Sequence, residues 1–287
     1  MEAGPASPAG LPASLGQADR ALVMGVLNVT PDSFSDRGRF LEPRAAISRG
    51  LVLRDCGADL VDVGGESTRP GAERTPVDDE LARVLPVVRA LVSEAVHVSI
   101  DTMRAQVAEA AMEAGAVVVN DVSGGLADPA MFATMAAARR PYVVMHWRGP
   151  SAHMVALASY DDVVRDVRVE LGRRLAEAVT AGVDPGFIVL DPGLGFAKTG
   201  AHNWSLLAHL SDLAALGRPL LVGASRKRFL GEMLGGAAPV ERDQATAATS
   251  ALAAAAGVWC VRVHEPAPSR EAVSVAAAWR AAGGGTR

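Results

Sequence analysis

Nearly every apolar run in the sequence ends at a polar side chain that is costly to bury unless it is paired. These run-ending side chains are those of Asn28, Asp101, Asn120, His146, Asp191, Ser225 with Lys227, and Arg262 with His264. The carboxylates and carboxamides bind paired N–H groups, whereas the cationic and hydroxyl side chains donate to phosphate. The set therefore suits a neutral, donor-rich heterocycle that carries an anionic leaving group.

Two segments predict an anion site. Arg262 and His264 are two residues apart on a predicted strand, so they share a face and form an anion clamp, with a structural ion pair as the less favoured alternative. Ser225 and Lys227 directly follow a buried strand at a predicted helix start, which favours anion binding over a solvated lysine. For Asp191, which precedes Pro-Gly, turn formation and a functional role are equally supported.

Other polar residues near the strand ends have structural interpretations. Asn120 and Asp121 are adjacent and point to opposite faces of a strand, so we assign Asn120 to the interior and Asp121 to a structural hydrogen bond. His146 is interpreted as a core histidine with satisfied hydrogen bonds. Asp62 and Glu66 are expected to orient the loop after the second run.

The apolar runs must position these side chains, and they alternate with stretches of helical spacing. The runs are ALVMGVLNV from Ala21, LVDVGG from Leu60, HVSID from His97, VVVNDV from Val117, YVVMHW from Tyr142, FIVLDPG from Phe187, PLLVGAS from Pro219 and VWCVRVH from Val258. Their nearly continuous apolar character is typical of a parallel sheet buried on both faces. The pattern predicts a single-domain α/β fold, a (β/α)8 TIM barrel whose strand ends encircle one mouth. A doubly wound sheet is the second choice.

Three segments depart from the short connections of such a barrel. The stretches Thr30–Pro43 and Gly64–Asp78 are rich in Gly, Pro and Ser and are expected to act as lids. After the seventh run, two helical segments, Arg226–Leu234 and Arg242–Ala256, are separated by GGAAP.

Composition narrows the function classes. The chain has 287 residues, a formal net charge of −4 and no basic run, so a nucleic-acid partner is not expected. Its two cysteines, Cys56 and Cys260, form no disulfide framework or metal motif, which predicts a cytoplasmic protein. No apolar run is long enough to span a membrane. Residues 1–19 lack signal-peptide features and are expected to be a disordered tail before a barrel of residues 20–287.

Several segments resemble the dihydropteroate synthase family. The closest matches are MGVLNVTPDSFSD from Met24, DVGGESTRPGA from Asp62 and LDPGLGFAK from Leu190. Further matches follow in order, namely SIDTMRAQVA from Ser99, VNDVSGG from Val119, VVMHWRG from Val143, LVGASRKRFLG from Leu221 and VRVHE from Val261. The resemblance implies a TIM-barrel transferase of folate biosynthesis. It implies that the chain joins 6-hydroxymethyl-7,8-dihydropterin pyrophosphate to 4-aminobenzoate and releases pyrophosphate.

The resemblance also implies Mg²⁺ as cofactor, a homodimer, and a 4-aminobenzoate site of the kind that sulfonamides target. The residues implied to bind the pterin are Asp101, Asn120, Val122, Met145, Asp191, Gly195, Phe196, Lys227 and Arg262. Those implied to bind 4-aminobenzoate and pyrophosphate are Asp32, Phe34, Thr68, Arg69, Pro70, Ser225, Arg262 and His264. Asn28 is implied to ligate Mg²⁺. The implied catalytic residues are Asp101, Lys227, Arg262 and His264.

Two positions depart from the family pattern, and both changes are expected to be tolerated. Arg37-Gly38 stands where paired glycines are usual, and Glu265 stands where Asp is frequent. Three alternative functions stay open: a non-catalytic pterin-binding paralogue, a pterin-binding methyltransferase barrel, and a Schiff-base lyase that uses Lys227 as nucleophile.

Overall fold

The structure, a computed structural model, describes residues 6–30, 43–67, 74–149 and 156–283. Its centre is a parallel sheet of eight strands, which confirms the eight predicted runs. The strands are β1 (Leu22–Asn28), β2 (Leu60–Gly64), β3 (Val98–Asp101), β4 (Val118–Asp121), β5 (Tyr142–Met145), β6 (Ile188–Asp191), β7 (Leu221–Val222) and β8 (Cys260–Val263). The sheet order is β6-β5-β4-β3-β2-β1-β8-β7, and a bridge between Leu190 and Leu220 brings β6 to β7. The sheet therefore closes into the predicted (β/α)8 barrel.

Helices follow the strands, as the helical spacing between the runs predicts. They are α1 (Ala13–Gly16), α2 (Pro43–Asp55), α3 (Val77–Ser93), α4 (Ala105–Glu113), α5 (Met131–Ala138), α6 (Val163–Thr180), α7 (Gly200–Ala208), α8 (Leu210–Ala214), α9 (Arg228–Met233), α10 (Asp243–Ala255) and α11 (Pro266–Gly283). The extra helical segment after β7 is confirmed as α9 and α10, which a 3-10 turn at Pro239–Arg242 joins. In the described part of the chain no helix is long and apolar enough to cross a membrane.

Side-chain alternation along the strands separates an outer core from the barrel interior. The outer core lies between the strands and the helices. The interior is filled near the N-terminal strand ends by an inner apolar cluster that contains Leu22, Met24, Leu60, Val118, Val143, Val189, Leu221 and Cys260. Two residues further along four of these strands, the same inward face carries Asp62, Asn120, Asp191 and Arg262. The inner apolar cluster therefore lies directly below these polar residues, which form the barrel floor.

Residues 6–19 differ from the disordered tail that composition predicts. The Leu15 side chain of α1 is only 4% exposed and belongs to the inner apolar cluster. Ser14 Oγ lies 3.0 Å from His97 Nε2, and the Ala9 N–H donates to the Gly186 carbonyl at 2.8 Å. Covering the apolar end of the barrel removes it from water, and Leu15 anchors the segment with Leu11 and Ala18 packed beside it. Such a short signal is hidden in a composition rich in Pro, Gly and Ser.

Leu15→Ala is expected to lower the free energy of unfolding by about 2 to 5 kcal/mol, the range for a buried leucine whose site cannot fully collapse. Chemical denaturation measures the change. Leu126→Ala is the matched control, because Leu126 is 47% exposed and lies outside the helices α10 and α11. A change at Leu15 no larger than that of the control would show that α1 does not seal the barrel.

Candidate active site

The strand register places several of the predicted site residues side by side at the C-terminal end of the barrel. Asn28 of β1 pairs with Gly64 of β2, Gly64 pairs with Asp101 of β3, and Asp101 pairs with Asn120 of β4. Asp101 packs over Gly64, where an added Cβ would lie 3.4 Å from the Asp101 Cβ. Further round the barrel, Met145 pairs with Asp191. The strand ends therefore encircle one mouth, as predicted.

Five of the predicted substrate-binding residues lie outside the described residues. They are Asp32, Phe34, Thr68, Arg69 and Pro70, and Arg37 of the first long loop lies outside as well. Their assignments stay predictions.

Arg262 links two buried carboxylates on the barrel floor. Its Nε donates to Asp62 Oδ2 and its Nη2 to Asp101 Oδ2, both at 2.6 Å. Asn120 Nδ2 also donates to Asp62 Oδ2, at 2.9 Å. Burial raises the pKa of Asp101 to about 7, and the positive charge of Arg262 is the largest opposing effect. Arg262 thus forms the structural ion pair that the sequence analysis ranked second, and its role as an anion clamp stays a prediction.

The expectation that Asp62 orients the following loop is wrong. Its side chain is fully buried and points to Arg262 and Asn120 in the barrel interior. The sequence signal that could have revealed this is alternation, since Asp62 stands two residues after the inward-facing Leu60.

The predicted orientations of Asn120 and Asp121 are confirmed. Asp121, on the outer face of β4, accepts hydrogen bonds from the Ser123 backbone N–H at 2.8 Å and from the Tyr142 hydroxyl at 2.8 Å. It accepts another from the Gly125 N–H at 2.6 Å. Asp121 therefore fixes the turn after β4, while Asn120 faces the interior.

Asp191 and Lys227 stand on opposite sides of the turn that follows β6. Asp191 Oδ1 accepts from the Gly193 N–H at 2.7 Å, which confirms the turn-forming role. Lys227 Nζ donates to the Leu194 carbonyl and lies 4.8 Å from the centroid of the Phe196 ring. Burial raises the pKa of Asp191, and the nearby Lys227 charge opposes the rise. Burial also lowers the pKa of Lys227 to about 8.

Gly195 is required in this turn for two reasons. Its φ of +77° lies in the left-handed region. An added Cβ would also lie 2.9 Å from Lys227 Cδ, so any side chain at this position would displace the lysine stem.

Ser225 and His264 form one polar corner of the mouth. The His264 backbone N–H donates to Ser225 Oγ at 3.1 Å, and Ser225 Oγ lies 3.0 Å from His264 Nδ1. Burial, followed by the charges of Arg262 and Arg226, lowers the pKa of His264 to about 3. The imidazole is therefore neutral at pH 7. Because its Nδ1 accepts from the Ser225 hydroxyl, we assign the ring proton to Nε2, which is left to donate to an anion.

Arg226, between Ser225 and Lys227, anchors their turn from outside. Its φ of +59° is unusual for a residue with a side chain. Its guanidinium makes two hydrogen bonds of 2.7 Å to Asp243 of α10. The Arg242 Nη1 donates to its carbonyl at 2.9 Å. The turn is thereby held from α10 and from the 3-10 turn that precedes it.

A buried polar chain lies behind the ends of β5 and β6. Lys198 Nζ lies 2.9 Å from His146 Nδ1 and donates to the Gly193 and Phe196 carbonyls at 3.0 and 3.1 Å. His146 Nε2 lies 2.9 Å from Glu170 Oε2. Burial lowers the pKa of His146 to about 4, which confirms a core histidine with satisfied hydrogen bonds. The sequence analysis missed Lys198, whose signal is its position in a glycine-rich turn directly after a buried strand.

Both ends of the undescribed segment 68–73 are tied to α4 and α3. Arg104 Nη1 donates to Glu66 Oε2 at 2.6 Å and to Glu80, and its Nη2 donates to the Thr75 carbonyl. Glu66 also accepts from the Thr75 N–H at 3.2 Å. Glu66 therefore joins the described residues on either side of this segment, in line with the expectation for the loop after β2.

Comparisons with known proteins agree with this geometry. A family model described as pterin binding enzyme matches residues 24–264. The dihydropteroate synthase of Mycobacterium leprae (strain TN) is 55% identical over 267 residues, which are 91% of this chain and 94% of that protein. The chain belongs to the dihydropteroate synthase family of pterin-binding enzymes.

Solved structures of dihydropteroate synthases are similar over nearly the whole chain. The Xanthomonas albilineans enzyme with 4-aminobenzoic acid has a TM-score of 0.85 at 44% identity, and the match covers 92% of this chain and 94% of that one. The Yersinia pestis enzyme in a sulfonamide drug complex has a TM-score of 0.88 at 38% identity, with coverages of 96% and 98%.

The Mg²⁺ that the dihydropteroate synthase family implies can be tested against the donors at the mouth. Across the described ranges no group of three or more His, Cys, Asp or Glu side chains could hold a metal ion. Asn28 is half-buried at the end of β1, beside Gly64. One amide oxygen fits an ion that keeps several waters and takes its remaining ligands from a phosphorylated substrate, as Mg²⁺ commonly does.

Glu265, one of the two departures from the dihydropteroate synthase pattern, has a partner in the structure. Its Oε2 lies 3.3 Å from Arg49 Nη2 of α2, which also donates to the His264 carbonyl at 3.1 Å. The longer side chain therefore joins a contact that supports the backbone of His264.

The depressed pKa of His264 makes stability depend on pH. Its folded pKa of about 3 lies below the unfolded value of about 6.5, so only the unfolded state takes up a proton between these values. The contribution of His264 to the free energy of unfolding is complete above pH 6.5. It falls by up to about 1.4 kcal/mol per pH unit as the pH drops toward 3. His146 acts in the same direction over a shorter range.

His264→Asn is therefore expected to flatten the fall of the free energy of unfolding between pH 6 and pH 4, as followed by denaturant titration. His209→Asn is the matched control, because His209 is an exposed histidine on the outside of the barrel. An unchanged slope in His264→Asn would show that this imidazole is not held neutral.

Proposed function

We propose that the chain condenses 6-hydroxymethyl-7,8-dihydropterin pyrophosphate with 4-aminobenzoate to give 7,8-dihydropteroate and pyrophosphate. The polar floor of the barrel carries this proposal, because it combines hydrogen-bonding groups for a pterin with donors for an anion at one mouth. The relatives named dihydropteroate synthase support it, as do solved relatives from Xanthomonas albilineans that contain 4-aminobenzoic acid or 7,8-dihydropteroate. The enzyme is thus a transferase of folate biosynthesis.

The pterin binds edge-on to the barrel floor. Asp101 and Asp191 accept from its N–H groups, Asn120 offers both a donor and an acceptor, and Lys227 donates to a ring acceptor. The ring faces contact apolar side chains at the strand ends, namely Val122, Met145 and Phe196. Burial raises the pKa of both aspartates, and ring N–H donors favour the ionised form, so pterin binding lowers these pKa values again.

The pyrophosphate lies at the corner that Ser225 and His264 form. His264 supplies a neutral Nε2–H and Ser225 a hydroxyl, while positive charge comes from Arg262 and Lys227. Thr68 and Arg69 remain predicted pyrophosphate ligands from the loop after β2. Because the site combines neutral and charged donors, it binds the pyrophosphate without placing several positive charges next to one another.

Asn28 would hold the Mg²⁺, which when bound would supply positive charge to the pyrophosphate oxygens. The support is that Asn28 lies at the mouth, on the strand that pairs with both β2 and β8.

Catalysis then follows from charge placement. The bond between the pterin methylene carbon and the pyrophosphate oxygen breaks, and its electron pair leaves with the pyrophosphate. The methylene cation is delocalised into the pterin ring, where the Asp101 and Asp191 carboxylates stabilise it. The 4-aminobenzoate nitrogen forms the new C–N bond and loses a proton to the released pyrophosphate. Asp32, Phe34, Thr68 and Pro70 are the residues proposed to position 4-aminobenzoate and exclude water.

The same site distinguishes the proposed function from the three alternatives. A methyltransferase has no pyrophosphate to bind and hence no need for the Ser225–His264 corner. A Schiff-base lyase would need Lys227 as nucleophile, and borohydride trapping with a carbonyl substrate tests for it. A non-catalytic paralogue would bind the pterin without turnover.

Incubation with both substrates and Mg²⁺ is expected to give 7,8-dihydropteroate, detected by mass spectrometry, with one pyrophosphate per product. Asp101→Ala and Lys227→Ala should each lower kcat/KM by at least about 100-fold with the fold retained, because each removes a group that acts on developing charge. Asp184→Ala is the control, since Asp184 lies at the opposite end of β6. Pterin binding without product, or normal turnover in both variants, would contradict the proposal.

We also propose that the enzyme is a cytoplasmic homodimer. The free state of both cysteines suits a reducing compartment. The helices α10 and α11 pack against each other, and three of their large apolar side chains, Leu252, Val275 and Trp279, are 73%, 64% and 78% exposed. Apolar surface of this kind marks protein interfaces.

Trp279→Glu is expected to convert the dimer to a monomer in light-scattering chromatography, because a charge would be buried at the interface. Val169→Glu on α6, where the valine is 65% exposed, is the control and should leave the mass unchanged. A monomeric wild type would refute the dimer.

A further inference from the structure

Asp62 is the most deeply buried carboxylate of the barrel floor and has no assigned role. Its side chain has no solvent exposure, whereas that of Asp101, which shares Arg262 with it, is 9% exposed at the mouth. Asp62 lies one layer below Asp101, because Asp101 pairs with Gly64 and Asp62 stands two residues before Gly64. Arg262 therefore joins a deep acid to an acid that borders the pocket.

The hydrogen bonds of Asp62 are uneven. Its Oδ2 accepts from Arg262 Nε at 2.6 Å and from Asn120 Nδ2 at 2.9 Å, but its Oδ1 has no hydrogen-bond partner among the described residues. Burying a carboxylate with one unsatisfied oxygen is costly, and a neutral side chain of the same shape would pack here at lower cost. Packing alone therefore does not account for the charge of Asp62.

We propose that Asp62 is a positioning residue for pterin binding: it fixes the Arg262 guanidinium and the Asn120 carboxamide, and leaves Asp101 free to exchange Arg262 for the pterin. The inference rests on the proposed function in that the guest is a pterin. It adds a deep counter-charge that does not itself touch the substrate.

The geometry explains why a second acid is needed. Asp101 Oδ2 is held by Arg262 at 2.6 Å, so this oxygen can accept from a pterin N–H only if Arg262 loosens its hold. Arg262 can do so without becoming an unpaired buried charge because its Nε stays on Asp62. Without Asp62, the guanidinium would have to remain on Asp101.

Asp62 also sets which atoms Asn120 presents. One amide hydrogen of Asn120 is committed to Asp62 Oδ2. The carboxamide therefore cannot turn over, and its oxygen stays directed away from Asp62 as an acceptor. This arrangement selects a guest with an N–H group at that point of its edge.

Asp62→Asn is the sharpest test, because an amide oxygen at the position of Oδ2 keeps both hydrogen bonds while the negative charge is lost. We expect the KM for the pterin pyrophosphate to rise about tenfold and the KM for 4-aminobenzoate to stay within about twofold, since only the pterin interactions change. Binding of 6-hydroxymethylpterin, measured by fluorescence without turnover, should weaken by a similar factor.

The pH profile gives a readout that a structural role would not move. The charges that act on Asp101 are those of Arg262 on β8, Asp62 on β2, Glu80 on α3 and Asp121 on β4. Removing the negative charge of Asp62 lowers the pKa of Asp101. The acid limb of kcat/KM for the pterin should therefore move to lower pH in Asp62→Asn.

Asp59→Asn is the matched control. Asp59 precedes the same strand at its other end and bridges two arginines, Arg20 at 2.8 Å and Arg270 at 2.9 Å. This variant should change stability without changing either the pterin KM or the pH profile. Equal effects in both variants, or none in Asp62→Asn, would overturn the positioning role while leaving the proposed function intact.

A double variant tests the proposal even where the single variant folds poorly. Removing both charges of a buried pair destabilises the fold less than removing one of them. Adding Asp62→Asn to Arg262→Gln should weaken pterin binding further by less than about twofold, since the two residues act as one unit. Additive losses would overturn the proposal. A wild type that neither binds 6-hydroxymethylpterin nor forms dihydropteroate would overturn this inference together with the proposed function.

Discussion

The interior of the barrel depends on one guanidinium, that of Arg262. Two carboxylates lie on the same inward face of β2 and β3, and neither could stay ionised there without a cation between them. Arg262 comes from β8 and must reach past β1 to meet them, because β1 separates β8 from β2 in the sheet. A long, planar cation that stays charged when buried meets this demand, and lysine would not.

The polar residues at the strand ends divide into two sets by alternation alone. The inward set, with Asp62, Asn120 and Arg262, forms the floor of the pocket. Residues outside this inward set hold the surrounding turns: Asp121, on the outer face of β4, fixes the turn after that strand. Lys198, in the loop after β6, fixes the turn there through two carbonyls. The rigidity of the site thus comes from residues that do not face it.

The sequence predicted the structure best where residue types repeat with a regular period along a strand. Nearly continuous apolar strands ending in polar residues predicted the barrel and its mouth, and the two-residue period placed Asn120 inside and Asp121 outside. Pairings across long separations had no such signal. Arg262 and Asp62 are 200 positions apart, and only barrel closure brings them together. The anchor at Leu15 was missed because Leu11, Leu15 and Ala18 form too short a pattern among Pro, Gly and Ser residues. Lys198 was missed because its three partners are set by the path of a turn.

The distribution of amino groups has a practical consequence. Lys198 and Lys227 are the only lysines in the sequence, so every other basic side chain apart from histidine is an arginine. Both flank the turn after β6, and burial lowers their pKa to about 7 and about 8, which leaves a nucleophilic neutral fraction under mild conditions. An amine-selective acylating reagent would thus find, besides the chain terminus, no side-chain target away from that turn. Chemical labelling of this protein would report the state of the turn after β6 rather than that of the protein surface.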